Sequence, residues 1–178
     1  MGTVVAVEVE DGVAVAANTG AVADGTAMDE GARRLFAFDA AVVGAAGEQG
    51  DVDEFSRQID RVVRDLDVGS SRDADVRSLG RRVADTADDL GVEAAVAARD
   101  DDGRARLSRV DASGASARTD TVALGTGVEP ALGRLESADP GVDLDEAVAL
   151  AREGVRAARA RDPETVGDIE VAELPSRE

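Results

Sequence analysis

Apolar positions near the start of the chain recur every second residue. Val5, Val7 and Val9 alternate with Ala6, Glu8 and Glu10, which predicts a strand. Asp11-Gly12 is a hairpin signal, and Val13–Ala17 is expected to return as a second strand. Leu35–Phe38 and Ala40–Ala46 read as another strand pair around Asp39. The period then changes. Phe55, Ile59, Val62, Val63 and Leu66 recur at helical spacing, with Asp51 and Glu54 placed like a capping box and Gly69 as the stop. Val76, Leu79, Val83, Ala87 and Leu90 form a second helical stripe that starts near Asp73 and ends at Gly91.

Alternation returns at Val92–Ala98 and Ala105–Val110, joined by the turn Asp101-Asp102-Gly103. The turn Asp111–Gly114 leads into one more short strand, and Thr121–Leu124 is another. A short helix over Pro130–Leu135 and a longer one opening at Asp143 or Asp145 follow, before a last strand over Asp168–Leu174. Strand blocks separated by helix pairs imply antiparallel sheets covered by helices, not a parallel βαβ sheet. No stretch reads as a linker, so residues 1–178 are expected to form a single domain.

Composition narrows the chemistry. The 178 residues carry 38 Asp+Glu against 20 basic residues, a net charge of -18, and every basic residue is Arg. That balance argues against nucleic acid and anionic membrane surfaces as partners, since both call for clustered positive charge. The acids are scattered, aromatic residues make up 2%, and Ala, Val and Gly dominate. This is the expected make-up of a halophilic protein, because molar salt screens self-repulsion over about 3 Å. No apolar run approaches the length of a membrane span and no signal peptide opens the chain, so a cytoplasmic location is expected. With no His and no Cys, histidine bases, thiol nucleophiles and His- or Cys-ligated metals are excluded. No metal or cofactor is called for. Hydrolysis would need a carboxylate, a metal or an N-terminal hydroxyl activated by its own amine.

Five stretches carry a family resemblance. The run TVVAVEVEDGVAVAANTGA resembles the two opening strands of a proteasome β subunit, and DEGARRLFAFD resembles that family's basic pair and following strand. VGAAGEQGDVDEFSRQI is similar to its strand, glycine turn and first long helix. ALGTGVEPALGRLE and LDEAVALAREGVRAARARDPETVGDIEVAEL resemble its glycine-rich turn and its last helix–strand unit. The extra N-terminal helix of α-type subunits is not seen. The resemblance implies the N-terminal nucleophile hydrolase fold, a four-layer αββα sandwich of two antiparallel sheets between helix layers. It also implies a homo-oligomeric ring, with proteasome α-type subunits as possible partners.

In an active member of that family an N-terminal Thr attacks the peptide carbonyl. Carried over residue by residue, the resemblance puts that Thr at Gly2, with Thr3 next to it. The active-site Lys falls on Arg34 and the conserved acid on Asn18. Gly47 matches the oxyanion-hole glycine, Thr126 stands where a Ser is usual, Asp162 matches the distal Asp, and Thr165 stands near a second Ser. Strand parity groups Gly2 with Val4, Ala6 and Glu8, opposite the face of Val5, Val7 and Val9 that is expected to pack; Thr3 shares the valines' parity. A catalytically degenerate ring subunit is therefore expected. The alternative is a divergent threonine peptidase in which cleavage between Gly2 and Thr3 exposes Thr3.

Overall fold

The computed structural model describes residues 1–28, 31–69, 74–137 and 141–177. Strands β1 (Thr3–Val9) and β2 (Gly12–Asn18) form the expected hairpin, with Val5 opposite Ala16 and Val7 opposite Ala14. A small separate hairpin follows, β3 (Ala21–Ala23) and β4 (Thr26–Met28). Next come β5 (Leu35–Ala37), β6 (Ala41–Ala46), and helices α1 (Gln49–Gly69) and α2 (Ala74–Leu90). Strands β7 (Glu93–Arg99), β8 (Ala105–Val110), β9 (Ser116–Arg118) and β10 (Thr121–Gly125) precede α3 (Val128–Glu136), α4 (Leu144–Arg159) and β11 (Ile169–Pro175).

The strands build two main antiparallel sheets, ordered β10-β1-β2-β11 and β5-β6-β7-β8-β9. Three apolar clusters join four layers. Val5, Val7, Ala14 and Ala16 pack against Ala147, Ala151 and Val155 of α4. Val4, Ala6, Val13 and Val15 face Val42, Ala95 and Leu107 across the two sheets. Val43, Ala94 and Val96 meet Phe55, Ile59, Leu79 and Val83 of α1 and α2 on the far side. The αββα order expected from the resemblance is the order found.

Two expectations change. The second face of β1 is not left open, because Val4 and Ala6 are as buried as Val5 and Val7. A strand in the middle of a sandwich buries both faces, so alternation between Val and Ala marks a change in side-chain size and not an inside–outside boundary. Asp51 is also not an N-cap, since α1 already runs from Gln49 and the amides of Asp51 and Val52 reach back to Glu48 O. By contrast, Asp143 caps α4 with a complete capping box: its side chain accepts from Glu146 N and Glu146 accepts from Asp143 N. The expected α2 start at Asp73 lies outside the described residues.

Small residues set the distance between the sheets. A Cβ on Gly44 of β6 would lie 2.6 Å from Val4 and 3.1 Å from Val15, so β6 can approach β1 and β2 only without a side chain there. The chain crosses between sheets at residues 118–121, and Glu8 closes that corner. Its carboxylate is nearly buried and accepts from Leu107 N (2.6 Å), Arg106 Nη1 (3.1 Å) and Arg118 Nη2 (3.2 Å). Among the described residues no helix is long and apolar enough to cross a membrane.

Candidate functional site

Four loops meet at the open end of β1. The β2 exit brings Asn18, the segment before β5 brings Arg34, the β10–α3 turn brings Thr126 and Gly127, and the α4–β11 connection brings Asp162 and Thr165. Each contacts the segment Met1–Thr3 or a residue that does.

Arg34 is the least expected member. Its neighbour Arg33 is exposed and lies 5.0 Å from the ring centre of Phe36, an ordinary surface cation–π contact. Arg34 is only 2% exposed. Its Nη1 donates to Asn18 O and Gly20 O, both at 3.0 Å, and its Nη2 donates to Met1 O. Its Nε is buried without a hydrogen-bond partner among the described residues. Burial away from water lowers its pKa to about 10, which still leaves a full positive charge at neutral pH. The guanidinium lies against Gly2. A Cβ built on Gly2 would sit 2.6 Å from its Cζ, Nε and Nη2, and the Gly2 φ of +126° already disfavours any L side chain.

Asn18 explains its own amide. Its Oδ1 accepts from Thr3 N at 2.8 Å, while its Nδ2 donates to Gly20 O (3.1 Å) and Val166 O (2.9 Å). A carboxylate here would face two carbonyl oxygens with no proton to offer. The charged pair that the resemblance leads one to expect is thus replaced by a cation and an amide that share one backbone carbonyl, Gly20 O.

Thr3 is fully buried on the α4 side of β1. Its hydroxyl accepts from Gly127 N at 3.1 Å and lies 2.6 Å from the Thr165 hydroxyl. Thr165 Oγ1 donates to Asp162 Oδ2 at 2.5 Å, so the proton between the two threonines comes from Thr3. Thr126 Oγ1 donates to the same carboxylate oxygen at 2.6 Å, and Glu164 N donates to the other at 3.1 Å. Burial pushes the Asp162 carboxyl up, but the hydrogen bonds from Thr126, Thr165 and Glu164 N together hold it below the usual aspartate value.

Backbone groups complete the site. Thr126 N donates to Gly2 O at 3.0 Å, and the Met1 ammonium pairs with Glu164 at 2.7 Å. Gly47 follows Ala46 at the end of β6 and makes no hydrogen bond to these residues among the described ones. A Cβ on Gly47 would come within 3.2 Å of Val92, which gives that glycine a packing reason of its own. Gly2, Thr3, Asn18, Arg34, Thr126, Asp162 and Thr165 are brought together directly. Their carbonyl and amide partners at Met1, Gly20, Gly127 and Val166 leave no mark in a sequence, because every residue type supplies the same backbone groups.

No curated protein matches the chain. The model of one family, described as Proteasome subunit, matches residues 1–174. With its two sheets between helix pairs and its converging loops at the start of β1, this chain belongs to the proteasome subunit family.

Proposed function

We propose that the chain is a ring-forming subunit of the proteasome type that lacks threonine-peptidase activity at position 2 and serves a structural or regulatory role. One observation carries this reading: the space a nucleophile's side chain would need at Gly2 is taken by the Arg34 guanidinium. A permanently charged guanidinium also cannot exchange a proton as an amine can near neutral pH. The expected surroundings are the cytoplasm at high salt, with further copies or α-type subunits as ring neighbours. The test is peptide hydrolysis in molar salt. The expected result is no turnover above background. A burst of product that a threonine-directed covalent inhibitor abolishes overturns the proposal.

A second reading draws on the Thr3 network. Asn18 holds the Thr3 amide, Thr126 N holds the Gly2 carbonyl, and the Thr3 hydroxyl feeds through Thr165 to Asp162. Cleavage between Gly2 and Thr3 would turn that amide into a free amine beside the hydroxyl. The burial of Thr3 counts against it. Intact mass separates the two readings: loss of Met1 and Gly2 together supports a Thr3 peptidase, and a mass that retains Gly2 removes it.

A further inference from the structure

Arg34 carries a positive charge that no described side chain answers. It is 2% exposed, and among the described residues no carboxylate forms an ion pair with it. Burial is the one influence on its pKa. Asn18, whose backbone carbonyl Arg34 holds, offers an amide in place of a carboxylate and spends its Oδ1 on Thr3 N. A buried charge without a counter-charge is costly, and a buried N–H without an acceptor adds to that cost.

The unmet donor has a direction. A guanidinium presents its N–H groups as planar forks, and Nε and Nη2 form one edge of that plane. Met1 O takes Nη2, whereas Nε is buried with no partner. One neutral carbonyl therefore sits on an edge that matches the two oxygens of a carboxylate or a single halide. The residue that caps this edge is weakly tied to the fold. Met1 is 36% exposed and precedes the first ladder pair, Thr3 with Gly125. Gly2 joins the two. Its carbonyl is fixed by Thr126 N, and it has no side chain to hinder rotation about its own backbone. Met1 O can thus swing off Nη2 without disturbing β1.

We infer that the Nε–Nη2 edge of Arg34 is a site for a small monovalent anion, a halide or a carboxylate, which takes both donors and displaces Met1 O. The exchange replaces a neutral acceptor by a charged one, and charge-assisted hydrogen bonds are the stronger kind. It also gives the buried guanidinium the counter-charge that the described side chains do not supply. The net charge of -18, with Asp162 and Glu164 on the α4–β11 connection, repels anions at low salt. Molar salt screens that repulsion and supplies the anion, so the site fills under the conditions to which the composition points. The inference is independent of whether the chain cleaves peptides.

Crystals of the full chain grown in molar potassium bromide are expected to show an anomalous bromide peak within hydrogen-bond reach of Nε and Nη2, with Met1 O moved away. Crystals grown in potassium formate separate the two ligand types: formate oxygens on that edge identify a carboxylate site, and bromide alone identifies a halide site. In solution, the unfolding midpoints of the parent and of Arg34→Gln are compared in molar potassium chloride, formate and gluconate, the last too bulky to enter. General effects of salt are common to both chains and cancel. The parent is expected to gain about 2–4 °C in chloride or formate over gluconate, a gain that Arg34→Gln lacks. A bromide peak without that difference marks an adventitious ion only and overturns the site. So does electron density that keeps Met1 O on Nη2 in both crystals. If Arg34→Gln does not fold, the crystals of the unaltered chain decide alone.

Discussion

At the scale of single residues, Arg34 and Gly2 share one volume. Gly2→Ala is expected to cost about 1–3 kcal/mol, from the clash with the guanidinium and from the left-handed φ. Chemical denaturation in molar salt measures it. A Gly2→Ala chain as stable as the parent would mean that the guanidinium moves aside freely. Glu8 is a second residue on which the fold leans. Glu8→Ala leaves Leu107 N and two arginines without their acceptor, and a loss of about 1–3 kcal/mol is expected from the stranded amide and the broken corner. Asp162 links stability to pH. Its pKa is lowered on folding, so its contribution is fully present above the unfolded aspartate value, about 3.9. It is lost as pH falls through the lower folded value. The acid limb of the unfolding midpoint should therefore flatten in Asp162→Asn. An unchanged limb assigns the linkage to other carboxylates.

Elements were legible to different degrees, for local reasons. The strand pairs and four helices follow from periods of two and of 3.6, and β8 falls on the expected Ala105–Val110. The start of α4 is written in its sequence, because Asp143 and Glu146 satisfy each other's backbone amides without outside help. Asp143→Ala should cost about 1 kcal/mol and leave the sheets intact, as read by thermal unfolding alongside circular dichroism. No loss of stability would show that packing of Ala147, Ala151 and Val155 alone holds the helix end. The β3–β4 hairpin was not anticipated. Asp24-Gly25 is the same kind of signal as Asp11-Gly12, but Ala21–Ala23 and Thr26–Met28 are too short and too weakly apolar to show alternation. The early start of α1 was missed because Asp51 and Glu54 imitate a cap two residues inside the helix.

For the whole molecule, the -18 charge makes self-repulsion the force to test. Among the described residues no Asp or Glu belongs to the buried core, although the Glu8 side chain is nearly buried; the core is mostly Val and Ala. Such side chains bury little area each, so the fold has a modest apolar drive with which to oppose its own repulsion. The unfolding midpoint should drop sharply when salt falls from molar to about 0.1 M, where the Debye length grows to about 10 Å. A midpoint independent of salt would remove the halophilic reading. The site residues were also legible at this scale, but only as positions. The order of Asn18, Thr126, Asp162 and Thr165 along a family pattern marks them in the sequence without any contact between them.

The sequence by itself determined the element order, the layer architecture, the absence of histidine and thiol chemistry, and a glycine where the family resemblance would place a nucleophile. Element order follows from local periods and the missing chemistry from composition, whereas the layers and the alignment of Gly2 follow from the family resemblance along the chain. Tertiary structure decided what those positions do. It turned Arg34 inward to three backbone carbonyls and ran the Thr3 hydroxyl through Thr165 to Asp162. The reason is that hydrogen-bond partners come from residues as many as 166 positions apart, brought together only when both sheets have packed.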